Sequence, residues 1–233
     1  MADLARRIAE NLAEVRHRIA EAAAASGRNA DQVTLVAVTK YVGEAEIRAL
    51  AASGCNLLGE NRPQLLWQKA LALKDLPIRW HMIGHLQRNK VRRTLPLVEM
   101  IESVDSLRLI EAINREAAAL ERPMPILLEV NVSGEAAKHG FQPGEIPDVV
   151  EHVAGCRHVE ARGLMCMASF SGGLDAARRE FAALRELRDR LRGSCPPEVC
   201  LTELSMGMSG DYEVAIREGA TLVRIGSALY EGV

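Results

Sequence analysis

The sequence has few cysteines, and none of them is paired in a way that would build a disulfide framework or a zinc site. Five of the 233 residues are cysteine, an odd number, and no two of them are separated by only two residues. Disulfide-rich secreted domains and thiolate zinc sites are both recognised by such cysteine patterns. The sequence therefore favours a reducing compartment, and we expect a cytoplasmic protein.

Long apolar stretches and an excess of charge of one sign are also missing. No segment approaches the roughly 20 apolar residues that span a bilayer. Charges interrupt residues 1–27 too often for the apolar core of a signal peptide. The 29 basic residues are interleaved with 31 acidic ones, and the net charge is −2. We therefore expect no positive electrostatic potential that would attract nucleic acid or an anionic membrane, and we expect a small-molecule ligand.

No linker rich in proline, glycine or serine divides the chain, and its composition does not shift. A chain of this length with 48% hydrophobic residues can bury one large core. We therefore expect one domain over residues 1–233, with an amphipathic helix at residues 1–27 that packs on the rest and stops near Gly27. The apolar stripe of that helix repeats every three or four residues and consists of Leu4, Ile8, Leu12, Val15 and Ile19.

After this helix, short apolar runs alternate with amphipathic segments. Eight such runs predict strands at residues 33–40, 56–61, 79–84, 99–105, 125–133, 161–169, 201–207 and 221–226. Several of the intervening segments have a helical pattern, most clearly residues 106–121 and 173–193. Strands that alternate with helices form a parallel sheet, and eight units predict closure into a (β/α)8 barrel. An open, doubly wound sheet is the alternative.

The carboxyl ends of the strands meet at one face of such a barrel, where function is found. Lys40 ends the first predicted strand. We expect it to be partly desolvated, with a lowered pKa and a free amine for a Schiff base, although a solvated lysine at the start of a loop is the alternative. The other polar residues at strand ends are Glu60, Asn61, His81 and Asn131. Each alone is better explained as a cap or turn residue, but together they line one rim.

The loops after the last two strands form the usual phosphate site of these barrels. The first loop contains Ser205, Gly207, Ser209 and Gly210, and the second contains Gly226 and Ser227. Hydroxyl and backbone N–H groups of such loops can converge on a dianion, although glycine and serine also form ordinary turns. Arg224 lies within the eighth strand, where an unpaired charge is costly. It either forms an ion pair across the barrel, for example with Glu203, or faces a ligand.

Together these segments resemble the pyridoxal phosphate (PLP) homeostasis protein family, the YggS/PROSC-like group, whose members have an alanine-racemase-type barrel of PLP fold type III. The resemblance extends in order over nearly the whole chain. It is carried by VAVTK ending at Lys40, GEN at 59–61, WHMIGHLQRNK at 80–90, RGLM at 162–165, SMGMSGDYEVAI at 205–216 and VRIGSALY at 223–230. The family's usual Phe-Gly ending is replaced here by residues 229–232, and serine stands at position 227 where threonine is common.

The resemblance implies a cofactor site. Lys40 would form the internal aldimine, Arg224 would face the pyridine nitrogen, and the phosphate would be held by residues of the last two loops, Ser205 among them. The full set that it implies for cofactor binding is Lys40, Asn61, His81, Ser205, Met206, Ser209, Arg224, Gly226 and Ser227. The function that it implies is PLP binding and intracellular PLP homeostasis, with PLP-dependent apoenzymes as recipients. We expect a monomer or a weak dimer.

A carrier is favoured over an enzyme. An arginine against the pyridine nitrogen disfavours protonation of that nitrogen and weakens the ring as an electron sink. Racemases of the related fold take a second acid/base from an additional β-domain. The predicted barrel accounts for the whole of this sequence, so we expect no such domain. Tyr41 is expected to point away from Lys40, whereas Tyr212 and Tyr230 lie near the predicted phosphate loops. We therefore expect no second catalytic base.

Three alternatives stay open. The first is a PLP-dependent amino-acid racemase of low activity, and the second is a barrel that binds a phosphorylated metabolite without a covalent bond. The third is a metal enzyme that uses His81 and His85. Because their spacing gives a shared face only on a helix, and a junction of strand and loop separates them here, we expect no metal site.

Overall fold

In the computed structural model, which describes residues 2–120, 122–135, 138–169 and 172–233, eight parallel strands close into a barrel. The strands are β1 (Thr34–Val38), β2 (Leu57–Glu60), β3 (Arg79–Met82), β4 (Met100–Val104), β5 (Met124–Glu129), β6 (Val159–Met165), β7 (Glu203–Ser205) and β8 (Leu222–Ile225). Each strand pairs with the next one in the sequence, and β8 pairs with β1, with Val36 opposite Arg224. The expected (β/α)8 barrel is confirmed, and the open sheet is wrong.

Helices surround this barrel. They are α1 (Ala2–Ala25), α2 (Glu44–Ala52), α3 (Pro63–Ala72), α4 (Val91–Thr94), α5 (Leu107–Ala117), α6 (Ile146–Ala154), α7 (Gly173–Arg192) and α8 (Tyr212–Arg217). A short 3-10 helix, Ser227–Tyr230, follows β8. Within the described part of the chain, no helix has the length and apolar character that crossing a bilayer requires.

The N-terminal helix has the predicted stripe. Leu4 is half-buried, and the other four stripe residues are at most 4% exposed. Gly27 adopts φ +72° just beyond the helix, a left-handed conformation that favours glycine at such an end. The helix packs on α2 and α8. Its Asn11 side-chain amide donates to the carbonyl oxygens of Leu229 (3.2 Å) and Glu231 (3.0 Å), so the divergent C-terminal segment is tied to α1.

Alternate residues of each strand face the barrel interior or the surrounding helices. On β8, Val223 and Ile225 belong to the large apolar cluster that includes the helices, whereas Leu222 and Arg224 lie on the opposite, inner face. Two small apolar groups fill part of the interior: Val36, Leu57 and Leu222 with Ile83, and Met100, Leu127 and Met165. Polar side chains occupy further inner positions toward the carboxyl ends of the strands, so this end of the barrel carries the candidate site.

The first strand ends earlier than predicted. Thr39 still donates its N–H to the carbonyl oxygen of Gly59 (2.9 Å), but Lys40 and Tyr41 already form a turn. Tyr41 is 86% exposed, and the Nζ atom of Lys40 lies 4.9 Å from the centre of its ring. The expectation that Tyr41 points away from Lys40 is therefore wrong, because it required the strand to continue through both residues.

Candidate functional site

Arg224 lies in a polar network inside the barrel. Its side chain is 3% exposed, and Nη2 donates to the carbonyl oxygen of Cys166 at 2.8 Å. Nη1 donates to the hydroxyl of Ser205 and lies 3.9 Å from Oε2 of Glu102. The Ser205 hydroxyl in turn donates to the same carboxylate oxygen at 2.5 Å. The guanidinium is thus held in one place by three neighbours.

Glu102 is a partner of Arg224 that the sequence motifs did not predict. It lies on β4, is fully buried, and is 2.6 Å from Nδ1 of His81. Burial acts to raise its pKa, but the hydrogen bond and charge of His81, with Arg224 and Ser205, outweigh burial and lower the pKa below its ordinary value. Glu102 is therefore an anion that balances the buried guanidinium, and its carboxylate accepts a hydrogen bond from Nδ1–H of His81.

The proposed ion pair between Arg224 and Glu203 is wrong. Oε2 of Glu203 accepts a hydrogen bond from the hydroxyl of Thr221 at 2.5 Å. Glu203 and Thr221 lie at the amino-terminal ends of β7 and β8, away from the mouth of the barrel. Which carboxylate faces Arg224 depends on how the strands are staggered, and that stagger cannot be read from one strand alone.

Lys40 presents a free amine at the mouth. The residue is exposed rather than partly desolvated as expected, and its Nζ makes no hydrogen bond or ion pair among the described residues. The backbone before it is fixed, because Nζ of the largely buried Lys69 donates to the carbonyl oxygen of Thr39 (2.7 Å) and to Glu60 (2.6 Å). Glu60 also accepts a hydrogen bond from the hydroxyl of Thr39 (3.2 Å). A fixed backbone with an exposed amine suits a covalent attachment point.

Asn61 follows β2 and leaves a polar atom without a partner. Its Oδ1 is buried and accepts no hydrogen bond from any residue that the structure describes. A buried acceptor left unpaired costs about 1–3 kcal/mol, so a donor from a ligand would be stabilising here. The close approach of Gly84 fixes this side of the mouth. A Cβ atom at position 84 would lie 2.4 Å from the carbonyl oxygen of Asn61.

The loops after β7 and β8 meet at the mouth. The Ser209 hydroxyl oxygen accepts the backbone N–H groups of Gly226 (3.1 Å) and Ala228 (3.4 Å), and the side chain of Ser227 is exposed beside them. Gly207 permits the approach of the first loop. It adopts φ +95°, and a Cβ atom there would lie 2.6 Å from a side-chain carbon of α8. Two hydroxyls and two N–H groups are thereby brought together, which is the composition expected of a phosphate site.

Two of the predicted cofactor residues are fully buried. Ser205 is fully buried between Glu102 and Arg224, so its hydroxyl supports the arginine, and its expected contact with a phosphate stays a prediction. Met206 is also fully buried, its side chain packs in the large apolar cluster, and its N–H donates to Leu222 at 3.1 Å. Of the other seven, His81 and Arg224 are also buried inside the barrel, whereas Lys40, Asn61, Ser209, Gly226 and Ser227 lie in the segments that follow strands β1, β2, β7 and β8.

Glu129 is a second inner carboxyl that the sequence did not reveal. It is 4% exposed, and its side chain makes no hydrogen bond within the described ranges. Burial, reinforced by the charge of Asp105, raises its pKa to about 7, although Arg224 and His85 act in the opposite direction. A group that exchanges a proton near neutral pH therefore lies inside the barrel.

Three other polar residues are hydrogen-bonded or buried within the fold. The side-chain oxygen of Asn131 accepts hydrogen bonds from Ser133 (3.1 Å) and from the N–H of Gly134 (3.1 Å), which confirms it as a turn residue. Tyr212 is 2% exposed and lies 5.9 Å beneath the guanidinium of Arg18 on α1, and its pKa is raised by burial. The Tyr230 hydroxyl is also buried, and burial raises its pKa.

Known proteins are similar to this chain in sequence and fold. Residues 5–232 match the family described as alanine racemase, N-terminal domain. A pyridoxal phosphate homeostasis protein from Pseudomonas aeruginosa is 42% identical over 223 residues, which cover 96% of this chain and 94% of that protein. One from Aquifex aeolicus is 39% identical, with coverage of 95% and 96%. The structure of PipY from Synechococcus elongatus with PLP bound is 34% identical and superposes with a TM-score of 0.84, covering 96% of this chain and 99% of that one. The chain therefore belongs to the pyridoxal phosphate homeostasis protein family.

Proposed function

We propose that this protein binds PLP at the mouth of the barrel, with Lys40 as the residue of covalent attachment, and serves intracellular PLP homeostasis. The observation that carries the proposal is the Lys40 amine, which is exposed and makes no hydrogen bond or ion pair among the described residues. The backbone just before it is held at the end of β1 by Lys69. PLP supplies an aldehyde, an electrophilic carbon with which a neutral primary amine bonds. The relative PipY binds PLP in a barrel of the same fold.

The residues at the mouth fit this cofactor. Ser209, Ser227 and the N–H groups of residues 226 and 228 would hold the phosphate, whose oxygens would replace the Ser209 hydroxyl as acceptor of these two N–H groups. Asn61 would flank the ring, where its unpaired Oδ1 needs a donor. On the other side His81 and Arg224 would lie beside the ring, Arg224 toward the pyridine nitrogen.

The state of Arg224 supports a carrier rather than an enzyme. Its guanidinium is paired with ionised Glu102 and bonded to Ser205, so it stays charged and fixed. A fixed cation beside the pyridine nitrogen disfavours protonation there and weakens stabilisation of a carbanion on the substrate. We propose that PLP-dependent apoenzymes receive the cofactor from the open mouth. We also propose one domain over residues 1–233 that acts in the cytoplasm as a monomer or a weak dimer.

The test is a PLP titration followed by absorbance. The wild-type protein should give one PLP per chain and an absorbance band that borohydride removes, and it should reactivate a PLP-dependent apoenzyme. Lys40→Ala should lose the band, whereas Lys74→Ala, which removes an exposed lysine after α3, should keep it. Equal bands from all three proteins, or no binding by the wild type, would refute the proposal.

Glu129 favours a second candidate, an amino-acid racemase of low activity. Racemisation needs an acid/base besides the attachment lysine, and a carboxyl with a pKa of about 7 can take and return a proton near neutral pH. If this candidate is correct, the protein interconverts the two enantiomers of an amino acid with uptake of solvent deuterium at Cα, and Lys40→Ala and Glu129→Gln each abolish the interconversion. Interconversion that persists in Glu129→Gln assigns the acid/base role elsewhere, and no interconversion by the wild type rules out the racemase.

A further inference from the structure

Two histidines and one aspartate from three separate loops meet at the rim of the barrel. His85 follows β3, Asp105 follows β4, and His139 lies between β5 and α6. Nδ1 of His85 is 2.8 Å from Oδ2 of Asp105, and Nδ1 of His139 is 3.6 Å from the same oxygen. One ligand atom from each residue lies within 4.8 Å of the other two. None of the three belongs to the predicted cofactor site.

These separations suit a transition-metal ion. Zinc binds imidazole nitrogen at about 2.0–2.1 Å and carboxylate oxygen at about 2.0–2.2 Å, usually with tetrahedral geometry. Neighbouring ligand atoms of such a tetrahedron are roughly 3.3 Å apart, since the edge is about 1.6 times the bond length. The two nitrogen–oxygen distances, 2.8 and 3.6 Å, lie on either side of that value. Shifts of a few tenths of an ångström would therefore bring these ligand pairs to coordination distance.

Among the described residues, the carboxylate of Asp105 makes hydrogen bonds and ion pairs only with the two histidines. Asp105 directly precedes α5, whose N-cap is Ser106, and no side-chain capping hydrogen bond to that helix is present among the described residues. Its Oδ2 accepts a hydrogen bond from Nδ1–H of His85. The Asp105 side chain is 8% exposed, whereas those of His85 and His139 are 46% and 62% exposed. The nearly buried anion is thus covered by two imidazoles that remain open to solvent.

We propose that His85, Asp105 and His139 bind one divalent transition-metal ion, with a solvent molecule at the remaining position. Two imidazole nitrogens and one carboxylate oxygen suit ions such as Zn²⁺, Co²⁺ and Ni²⁺ better than Ca²⁺ or Mg²⁺, which prefer oxygen ligands. The sequence had suggested only His81 as a partner of His85. The fold instead directs His81 inward to Glu102 and places His139 beside His85, with their rings stacked at 4.6 Å.

The experiment uses Co²⁺ and Zn²⁺ as probes on the full chain. Protein treated with a chelator, first without PLP and then with PLP, is titrated by calorimetry, and Co²⁺ binding is followed by its visible ligand-field absorbance. We expect one ion per chain in both forms. Asp105→Asn and His139→Ala should each weaken binding by about 100-fold or more, since even supporting residues of metal sites contribute 10–100-fold.

The control is His17→Ala, which removes an exposed histidine of α1 that lies 3.4 Å from Glu21. It should bind as the wild type does. His139 is exposed, so its removal tests the site without disturbing the core, and circular dichroism of each variant checks folding. Absence of one-to-one binding by the wild type, or wild-type affinity in folded His139→Ala, would overturn the proposal, and neither result bears on PLP binding at Lys40.

Discussion

Replacing Glu129 by glutamine should change how the stability of the protein depends on pH. The Glu129 carboxyl is buried, and its pKa in the folded protein is raised from 4.5 to about 7. Ionisation is therefore less favourable in the folded than in the unfolded state. Glutamine has nearly the same shape and does not ionise, so the variant removes this difference and little else.

The sign and size follow from proton linkage. Between pH 4.5 and about 7 the folded protein holds a proton that the unfolded chain has lost, so the free energy of unfolding decreases as pH rises through this window. A difference of about 2.5 pKa units, at 1.36 kcal/mol per unit, amounts to about 3 kcal/mol in total. Between about pH 5 and about pH 8 the free energy of unfolding of the wild type should therefore decrease by about 2.5 kcal/mol through this carboxyl, and that of Glu129→Gln should not.

Urea unfolding of both proteins in the absence of PLP, at several pH values across that range, measures the difference in the free energy of unfolding. The curve of Glu129→Gln should rise relative to the wild type as pH increases. Glu10→Gln is the control, because Glu10 is an exposed residue of α1 whose ion pair with Arg7 spans 3.8 Å. Its curve should run parallel to that of the wild type. A gap between Glu129→Gln and the wild type that changes by less than about 1 kcal/mol over the range would refute the reasoning.

Three further substitutions test the rest of the site. Gly84→Ala should destabilise the protein by about 1–3 kcal/mol and weaken PLP binding, because the added carbon would lie 2.4 Å from the carbonyl oxygen of Asn61. Urea unfolding measures the first effect, and a PLP titration measures the second. Glu102→Gln should cost about 3–5 kcal/mol in thermal or urea unfolding, because it leaves buried Arg224 without its anion, and an unchanged stability would contradict the pairing. Ser209→Ala should weaken binding of PLP by about tenfold, equivalent to one lost hydrogen bond to a charged group, and leave binding of pyridoxal, which has no phosphate, unchanged. Equal losses for both ligands would place the phosphate elsewhere.

The strands were predictable because parallel strands are buried on both faces, and their apolar runs therefore stand out from the amphipathic helices. The residues at strand ends, such as Lys40 and Asn61, could be found because the fold places all carboxyl ends at one face. The residue at which each strand ends could not be predicted. Tyr41 is an example, because a turn replaces the last residues of the predicted strand and changes where its side chain points.

Side chains within the barrel were harder to interpret. Glu102 and Glu129 lie inside apolar strands, and their meaning depends on neighbours from other strands. Arg224 faces Glu102 rather than Glu203 because of the stagger between strands, which no single segment encodes. The pairing of His85 with His139 depends on two loops that are distant in the sequence.

The attachment of PLP at Lys40 is tested most directly by reducing the complex with borohydride and mapping the modified peptide by mass spectrometry. The account predicts one PLP adduct per chain, located on Lys40, and none in Lys40→Ala treated in the same way. An adduct on another lysine at full occupancy, or no adduct in a wild-type protein that binds PLP, would contradict it.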